Sequence, residues 1–184
     1  MKKIVLTFGL IAGGIVGVMT SIMVPLLMSG RFDFSGSELV GYSTMVLAFL
    51  AVFFGIRRYR DTLSGGAITF GRAFKVGILI TLVACAVYVI AWEIVYWGFL
   101  PDFEEQYAAM STEKLRASGA TEAEVAAHEQ QMARFQELYR NPLFNVGMTF
   151  MEIFPVGLIM TLVSAAILRR RAAAGGGAAA PGKA

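Results

Sequence analysis

Charge is scarce in this chain. Of its 184 residues only 16% are Asp, Glu, Lys or Arg, against roughly 25% in average soluble domains. Cysteine and histidine are scarcer still, with Cys85 and His128 the sole examples. A lone cysteine excludes a disulfide within the chain and a cysteine-built metal site. Cys85 sits inside an apolar block and reads as a small packing residue. A lone histidine has no second imidazole with which to complete a metal site. His128 falls on the polar side of its predicted helix, where solvent is the expected partner. The Walker spacing and the Gly-x-Gly-x-x-Gly pattern are missing as well. No metal and no cofactor are expected, and no nucleic-acid partner.

What the chain has instead is apolar length. It is 57% hydrophobic, and the excess is gathered in four blocks, with the charges collected between them. That distribution belongs to a membrane protein rather than to a large soluble core. The spacing predicts spans over about 4–28, 39–56, 76–100 and 143–168. The first block follows Lys2 and Lys3 and resembles a signal peptide at its start. Its 25 apolar residues exceed the roughly 7–15 of a signal core, and no small-residue cleavage site follows. An uncleaved helix is expected, with Pro25 in its last turn. The 18 residues of the second block reach about 27 Å, near the lower limit for crossing. In lipid every backbone polar group must pair within its segment or in a closed barrel. These blocks are too long for barrel strands and lack their alternation. The expected fold class is an all-α membrane protein, with four transmembrane helices and an extracytoplasmic helical hairpin between the third and fourth.

Basic residues favour the cytoplasmic side. Four spans put both termini and the second loop together. That side carries Lys2, Lys3, Arg57, Arg58, Arg60, Arg72, Lys75, Arg169, Arg170, Arg171 and Lys183, with Asp61 its one acid. The other side carries Arg31, Lys114, Arg116, Arg134 and Arg140 among ten acids. Eleven basic residues against five predict cytoplasmic termini in a cell inner membrane. Arg57, Arg58, Arg60, Arg72, Lys75, Arg169, Arg170 and Arg171 are expected to meet anionic lipid headgroups. Tyr88, Trp92, Tyr96, Trp97 and Phe99 crowd the outer half of the third span, as an interfacial aromatic belt would.

The connecting segments carry their own signals. Ser64-Gly65-Gly66-Ala67-Ile68-Thr69 reads as a tight turn feeding a helix capped by Thr69. A glycine-rich stretch with basic neighbours is also chemistry for a phosphate cradle. Residues 101–141 read as two helices. Gly119 separates them, a Thr121/Glu124 capping box opens the second, and Asn141-Pro142 ends it. Val125, Met132, Phe135 and Tyr139 form an apolar stripe whose partners are expected in Phe103, Tyr107, Met110 and Leu115.

Inside the spans, small residues recur at helical spacing. Gly9, Gly13, Gly17 and Ser21 form one smooth face on the first helix, a pattern that lets helix backbones approach closely. Gly77 begins such a run on the third helix and Gly157 on the fourth. The face serves packing within the bundle or a homodimer, or contact with another membrane protein. Glu93 and Glu152 are the only acids within the spans. A charge at mid-membrane costs at least about 2.5–3.5 kcal/mol and usually faces the bundle interior, a cavity or a partner. Their depths are comparable, so the two carboxyls can meet at one level where the third and fourth helices are neighbours, with Asn145, Thr149, Tyr88 and Tyr96 as candidate donors; whether they share a cavity stays open. Pro155 frees a carbonyl beside Glu152. The set serves either as neutral, hydrogen-bonded packing or as a proton, ion or solute site.

Gly66-x-x-x-Phe70-Gly71-x-x-Phe74-Lys75-x-Gly77, Asn141-Pro142 and Glu152-x-x-Pro155-x-Gly157 together resemble domain-of-unknown-function family 4199, small bacterial membrane proteins. The resemblance covers about residues 1–171. It implies an inner-membrane four-helix protein with no assigned activity and no catalytic residues. The expected organisation is one transmembrane domain over 1–171 and a disordered Ala/Gly-rich tail over 172–184. The expected function is a non-enzymatic membrane accessory or interaction protein. The alternative is a small proton- or ion-coupled carrier using Glu93 and Glu152.

Overall fold

Residues 1–28 and 37–169 are described by the structure, a computed structural model. Six helices make up the described chain: α1 Lys2–Met28, α2 Ser37–Leu63, α3 Phe70–Phe99, α4 Phe103–Ala117, α5 Glu122–Tyr139 and α6 Pro142–Leu168. Among the described residues there is no β-strand. Four of the helices, α1, α2, α3 and α6, are long and apolar enough to cross a membrane. Residues 29–36 and 170–184 lie outside the described residues, and with them the expected headgroup contacts Arg170 and Arg171 and the expected disordered segment over 172–184.

The second and third long helices are longer than their apolar blocks. α2 continues through Arg57, Arg58 and Arg60 to Leu63, and α3 begins at Phe70. Hydrophobicity marks where lipid contact ends, whereas a helix ends where its backbone is stopped. The stop here is Gly65 and Gly66, at φ +63° and +81°, a left-handed conformation that glycine adopts without a Cβ clash. The Gly66 N–H donates to the Arg60 carbonyl at 3.0 Å. Thr69 then caps α3, its hydroxyl accepting from the Arg72 N–H at 3.4 Å.

α3 is the central helix, packing most extensively on α1 and α6, while α2 touches all three other long helices. At the basic end the packing is close. A Cβ on Gly13 would lie 2.6 Å from the Ala84 carbonyl oxygen, and one on Gly9 would lie 2.6 Å from Val83. The smooth face of α1 is therefore filled by α3 of the same chain. Gly17 continues it against Ala91 at 3.0 Å, while Ser21 turns its hydroxyl back to the Gly17 carbonyl at 2.6 Å. Gly77 and Gly157 do the same for α3 and α6. A Cβ on Gly77 would meet Thr161 and Ile56, and one on Gly157 would meet Thr81 and Phe49. The buried Thr81 hydroxyl lies 2.9 Å from that of Thr161 and 3.3 Å from the Gly157 carbonyl oxygen.

α4 and α5 pair as a hairpin at the opposite end of the bundle. Thr121 and Glu124 form the full capping box, and Gly119 at φ +85° makes the turn. Phe103, Tyr107, Phe135 and Tyr139 stack between the helices at centroid distances of 5.0–6.1 Å. The aromatic cluster runs into the bundle. Tyr88, Trp92 and Tyr96, spaced four apart, share one face of α3 and are buried, while Trp97 and Phe99 are 57% and 71% exposed. The expected interfacial belt is thus divided, with Trp97 and Phe99 outward and the other three inward. Helical spacing divides the five aromatics, and the three inward ones carry polar tips that find partners inside.

Candidate functional site

The polar residues of the hairpin half form three separate nodes rather than one site. In the first, the Tyr88 hydroxyl donates to Glu152 Oε2 at 3.1 Å. Thr20 of α1 lies beside the same tyrosine. Counted at about 1.5 Å per residue from the hairpin-end termini of their helices, Thr20, Tyr88 and Glu152 lie about 12, 16 and 15 Å deep, so three helices meet at one level.

The second node joins α3, α5 and α6. The Trp92 indole N–H is shared between the Tyr139 hydroxyl at 3.0 Å and Asn145 Oδ1 at 3.1 Å. Thr149 donates to the same Asn145 oxygen at 3.3 Å. An indole only donates, so it fixes the amide with its oxygen toward Trp92. Asn145 is fully buried and its Nδ2 has no hydrogen-bond partner among the described residues. Tyr139 belongs to the hairpin, and burial pushes its hydroxyl pKa up to about 12.

The third node was not legible as a site. Glu104 of α4 is 3% exposed and accepts a 2.6 Å hydrogen bond from the Tyr96 hydroxyl. Arg140 Nε approaches it at 3.6 Å, and Gln136 donates to its backbone carbonyl at 3.3 Å. Glu104 reads as one of several acids in a first helical turn. Only its position, with Phe103 facing the bundle, distinguishes it from Glu105.

Glu93 does not join Glu152. Its Oε2 accepts from the exposed Trp97 indole at 2.8 Å, one helical turn along, and its Oε1 has no hydrogen-bond partner among the described residues. Comparable depth was the wrong criterion. Five residues separate Tyr88 from Glu93, which turns the glutamate about 140° around α3, away from the face that meets Glu152. Pro155 lies within an α6 that runs unbroken to Leu168. His128 is also placed differently from expectation. Its Nε2 lies 2.9 Å from the Ser111 hydroxyl, bridging α5 to α4.

Glu152 opens onto a cleft of about 400 Å³ between α1, α2 and α6 in the hairpin half. Val16, Met19, Thr20, Met23, Val24 and Leu27 line it from α1, and Val40 to Tyr42, Thr44 and Met45 from α2. Tyr107 of α4 closes one side. Among the described residues no Lys, Arg or second acid lines it. A largely apolar concavity with a few convergent polar groups has the form of a small-molecule site, and its volume lies within the usual range of roughly 300–1,000 Å³. At the other end of the bundle, Arg57, Arg58, Arg72, Lys75 and Arg169 are exposed. Arg60 is half-buried and pairs with Asp61 at 2.7 Å.

Four long apolar helices packed around buried polar bridges are the architecture of a multi-pass helical membrane protein. The chain belongs to the family described as Protein of unknown function (DUF4199), which matches over residues 7–170. No curated protein and no solved structure matches.

Proposed function

We propose that the protein is a non-enzymatic accessory protein of the inner membrane that holds a small amphiphilic molecule in the cleft beside Glu152. The observation that carries this reading is the exposure of an intramembrane carboxyl to an apolar cleft. A carboxyl serving packing alone would be enclosed and satisfied by its neighbours. The charge distribution supports termini on the cytoplasmic side and the α4–α5 hairpin on the other, which puts the cleft in the outer half of the bilayer. The exposed basic residues at the far end suit anionic headgroups. The Ser111–His128 contact joins two surface helices, with no third group orienting the imidazole among the described residues, so it lacks the arrangement of an activated nucleophile.

The test uses the full chain in lipid nanodiscs and the neutral fluorescent probe N-phenyl-1-naphthylamine. A Cβ on Gly41 would meet nothing within 4 Å, so Gly41→Leu fills the cleft without a clash. Saturable probe binding above that of empty nanodiscs is expected, and it should weaken at least about tenfold in Gly41→Leu and in Met23→Trp. Equal probe uptake by wild type and both variants would overturn the reading.

A second reading, proton- or ion-coupled transport, is favoured by the contact of Glu152 with Tyr88 and of Tyr88 with Thr20, which links the cleft carboxyl to α1 and α3. It requires flux in proteoliposomes that is lost in Glu152→Gln. Unchanged flux in that variant would sink it.

A further inference from the structure

We propose that the cleft selects an organic cation: an ammonium or similar onium group carrying apolar substituents. The inference rests on the cleft being a binding site and names the chemistry it takes. Among the described residues Glu152 is the one carboxyl lining the cleft, and no Lys or Arg there neutralises it. The Tyr88 hydroxyl donates one hydrogen bond to Glu152 Oε2. A carboxyl in an apolar setting is ionised at low cost only when an opposite charge meets it, and a cationic occupant would supply that charge. Tyr42 and Tyr107 line the same space. Aromatic faces attract cations, and they recognise quaternary ammonium groups that have no N–H to donate.

The remaining lining argues against the other occupants. A bare metal cation needs several oxygen ligands in a fixed array. Among the described residues the cleft offers one carboxylate and the hydroxyls of Thr20, Thr44, Tyr42 and Tyr107 among Val, Leu and Met side chains. An anion would meet Glu152 with like charge. A neutral acyl chain would fill the apolar part and leave the carboxyl unmatched. The thioethers of Met19, Met23 and Met45 are flexible and polarisable, and they adapt to substituents of differing shape. Cation selectivity with loose shape selectivity is the result.

The experiment compares tetraphenylphosphonium with tetraphenylborate, ions of nearly equal size and opposite charge. Equilibrium binding is measured to the full chain in nanodiscs, with empty nanodiscs as baseline. The expected result is saturable binding of the phosphonium and none of the borate. Glu152→Gln should weaken the phosphonium at least about tenfold, and Tyr42→Leu with Tyr107→Leu severalfold. Glu152→Asp keeps the charge and should retain more affinity than Gln, which separates charge from folding. Glu137→Gln, on the exposed face of α5, should change nothing. Equal borate binding, or undiminished phosphonium binding in Glu152→Gln, would refute the inference. If N-phenyl-1-naphthylamine fills the cleft while the phosphonium does not, the cation inference fails and the cleft reading stands. If neither binds, both fail.

Discussion

Removing the Glu104 carboxylate should loosen the hairpin from the bundle, and the distances assign the loss to Tyr96 rather than to Arg140. The Tyr96 hydroxyl donates at 2.6 Å to a carboxylate that is 3% exposed. A hydrogen bond to a charged group contributes about 1.5–3 kcal/mol, and a buried partner left unpaired costs a similar amount. Arg140 stands 3.6 Å from the same carboxylate, but its side chain is 62% exposed, and such ion pairs contribute about 0–1 kcal/mol. Glu104→Ala should therefore destabilise by about 2 kcal/mol or more, Tyr96→Phe by nearly as much, and Arg140→Ala by less than about 1 kcal/mol. Tyr96→Phe keeps the ring between Trp92, Phe103 and Tyr139, so it removes little besides the hydroxyl.

The assay is reversible unfolding in mixed micelles, followed by tryptophan emission. Both tryptophans pack on Tyr96, with ring centroids at 6.1 and 4.9 Å, so the signal reports this junction directly. A double-mutant cycle between Tyr96→Phe and Glu104→Ala cancels the shared reference state. It should return a coupling of about 1.5–3 kcal/mol. A coupling near zero, or an Arg140→Ala loss as large as that of Glu104→Ala, would refute the assignment. Because α4 also carries Tyr107 into the cleft wall, Glu104→Ala should weaken cleft ligands without touching them.

Further outcomes follow from individual positions. Gly13→Ala places a Cβ 2.6 Å from a backbone carbonyl and should cost about 1–3 kcal/mol in the same unfolding assay. Gly14→Ala, where a Cβ meets nothing within 4 Å, should be neutral or slightly stabilising. Thr121→Ala should remove about 1 kcal/mol of α5 capping, read as faster amide exchange in residues 122–126. The Thr121 backbone N–H holds the Glu124 carboxyl below its usual pKa. That contribution is present above the unfolded carboxylate pKa and is lost as pH falls through the lower folded value, so amide protection factors at the start of α5, taken relative to the intrinsic rate at each pH, should fall in acid and should not do so in Glu124→Gln. Burial raises the Tyr139 hydroxyl from 10.0 to about 12. Its protonated form is favoured by the fold, so stability is full below pH 10 and declines toward pH 12, and Tyr139→Phe should flatten that alkaline decline. A decline of equal steepness in the variant would contradict it.

The helices were readable because span length and capping are local properties. Four apolar blocks, Thr69, Gly119, the Thr121/Glu124 box and Asn141-Pro142 each act within a few residues of themselves, and each sits where its chemistry placed it. The site was less readable because it depends on rotation between helices. Glu93 and Glu152 look equivalent in composition and depth. The direction each faces depends on which side of α3 meets α6, and that is set by Thr81, Gly157 and Thr161 near the other end. Glu104 was hidden by a different ambiguity. An acid in a first helical turn is favourable for the dipole alone, so nothing local marks the one that Tyr96, eight residues earlier, has captured. Tyr88, Trp92 and Tyr96 carried the available clue, since an i, i+4 stripe of polar-tipped aromatics on one face argues for inward partners rather than an interfacial belt.

The cleft itself follows from where the small residues stop. Gly9, Gly13, Gly55, Gly77 and Gly157 each sit so close to a neighbouring helix that a Cβ would fall within 3 Å of it. Their contacts draw the helices together through the basic half. Toward the hairpin, Gly41, Gly98 and Gly147 face open space, and α1 presents Met19, Met23 and Leu27 in place of glycine. These side chains line the gap beside Glu152, and next to it long polar groups tie α3 to α6, Tyr88 to Glu152 and Trp92 to Asn145. Close packing at one end thus fixes the relative rotation of the helices, and that rotation aims Glu152 into the space left at the other. A change that separates α1 from α3 at Gly13 should therefore reach the cleft through rotation, altering ligand affinity some distance from the substituted residue.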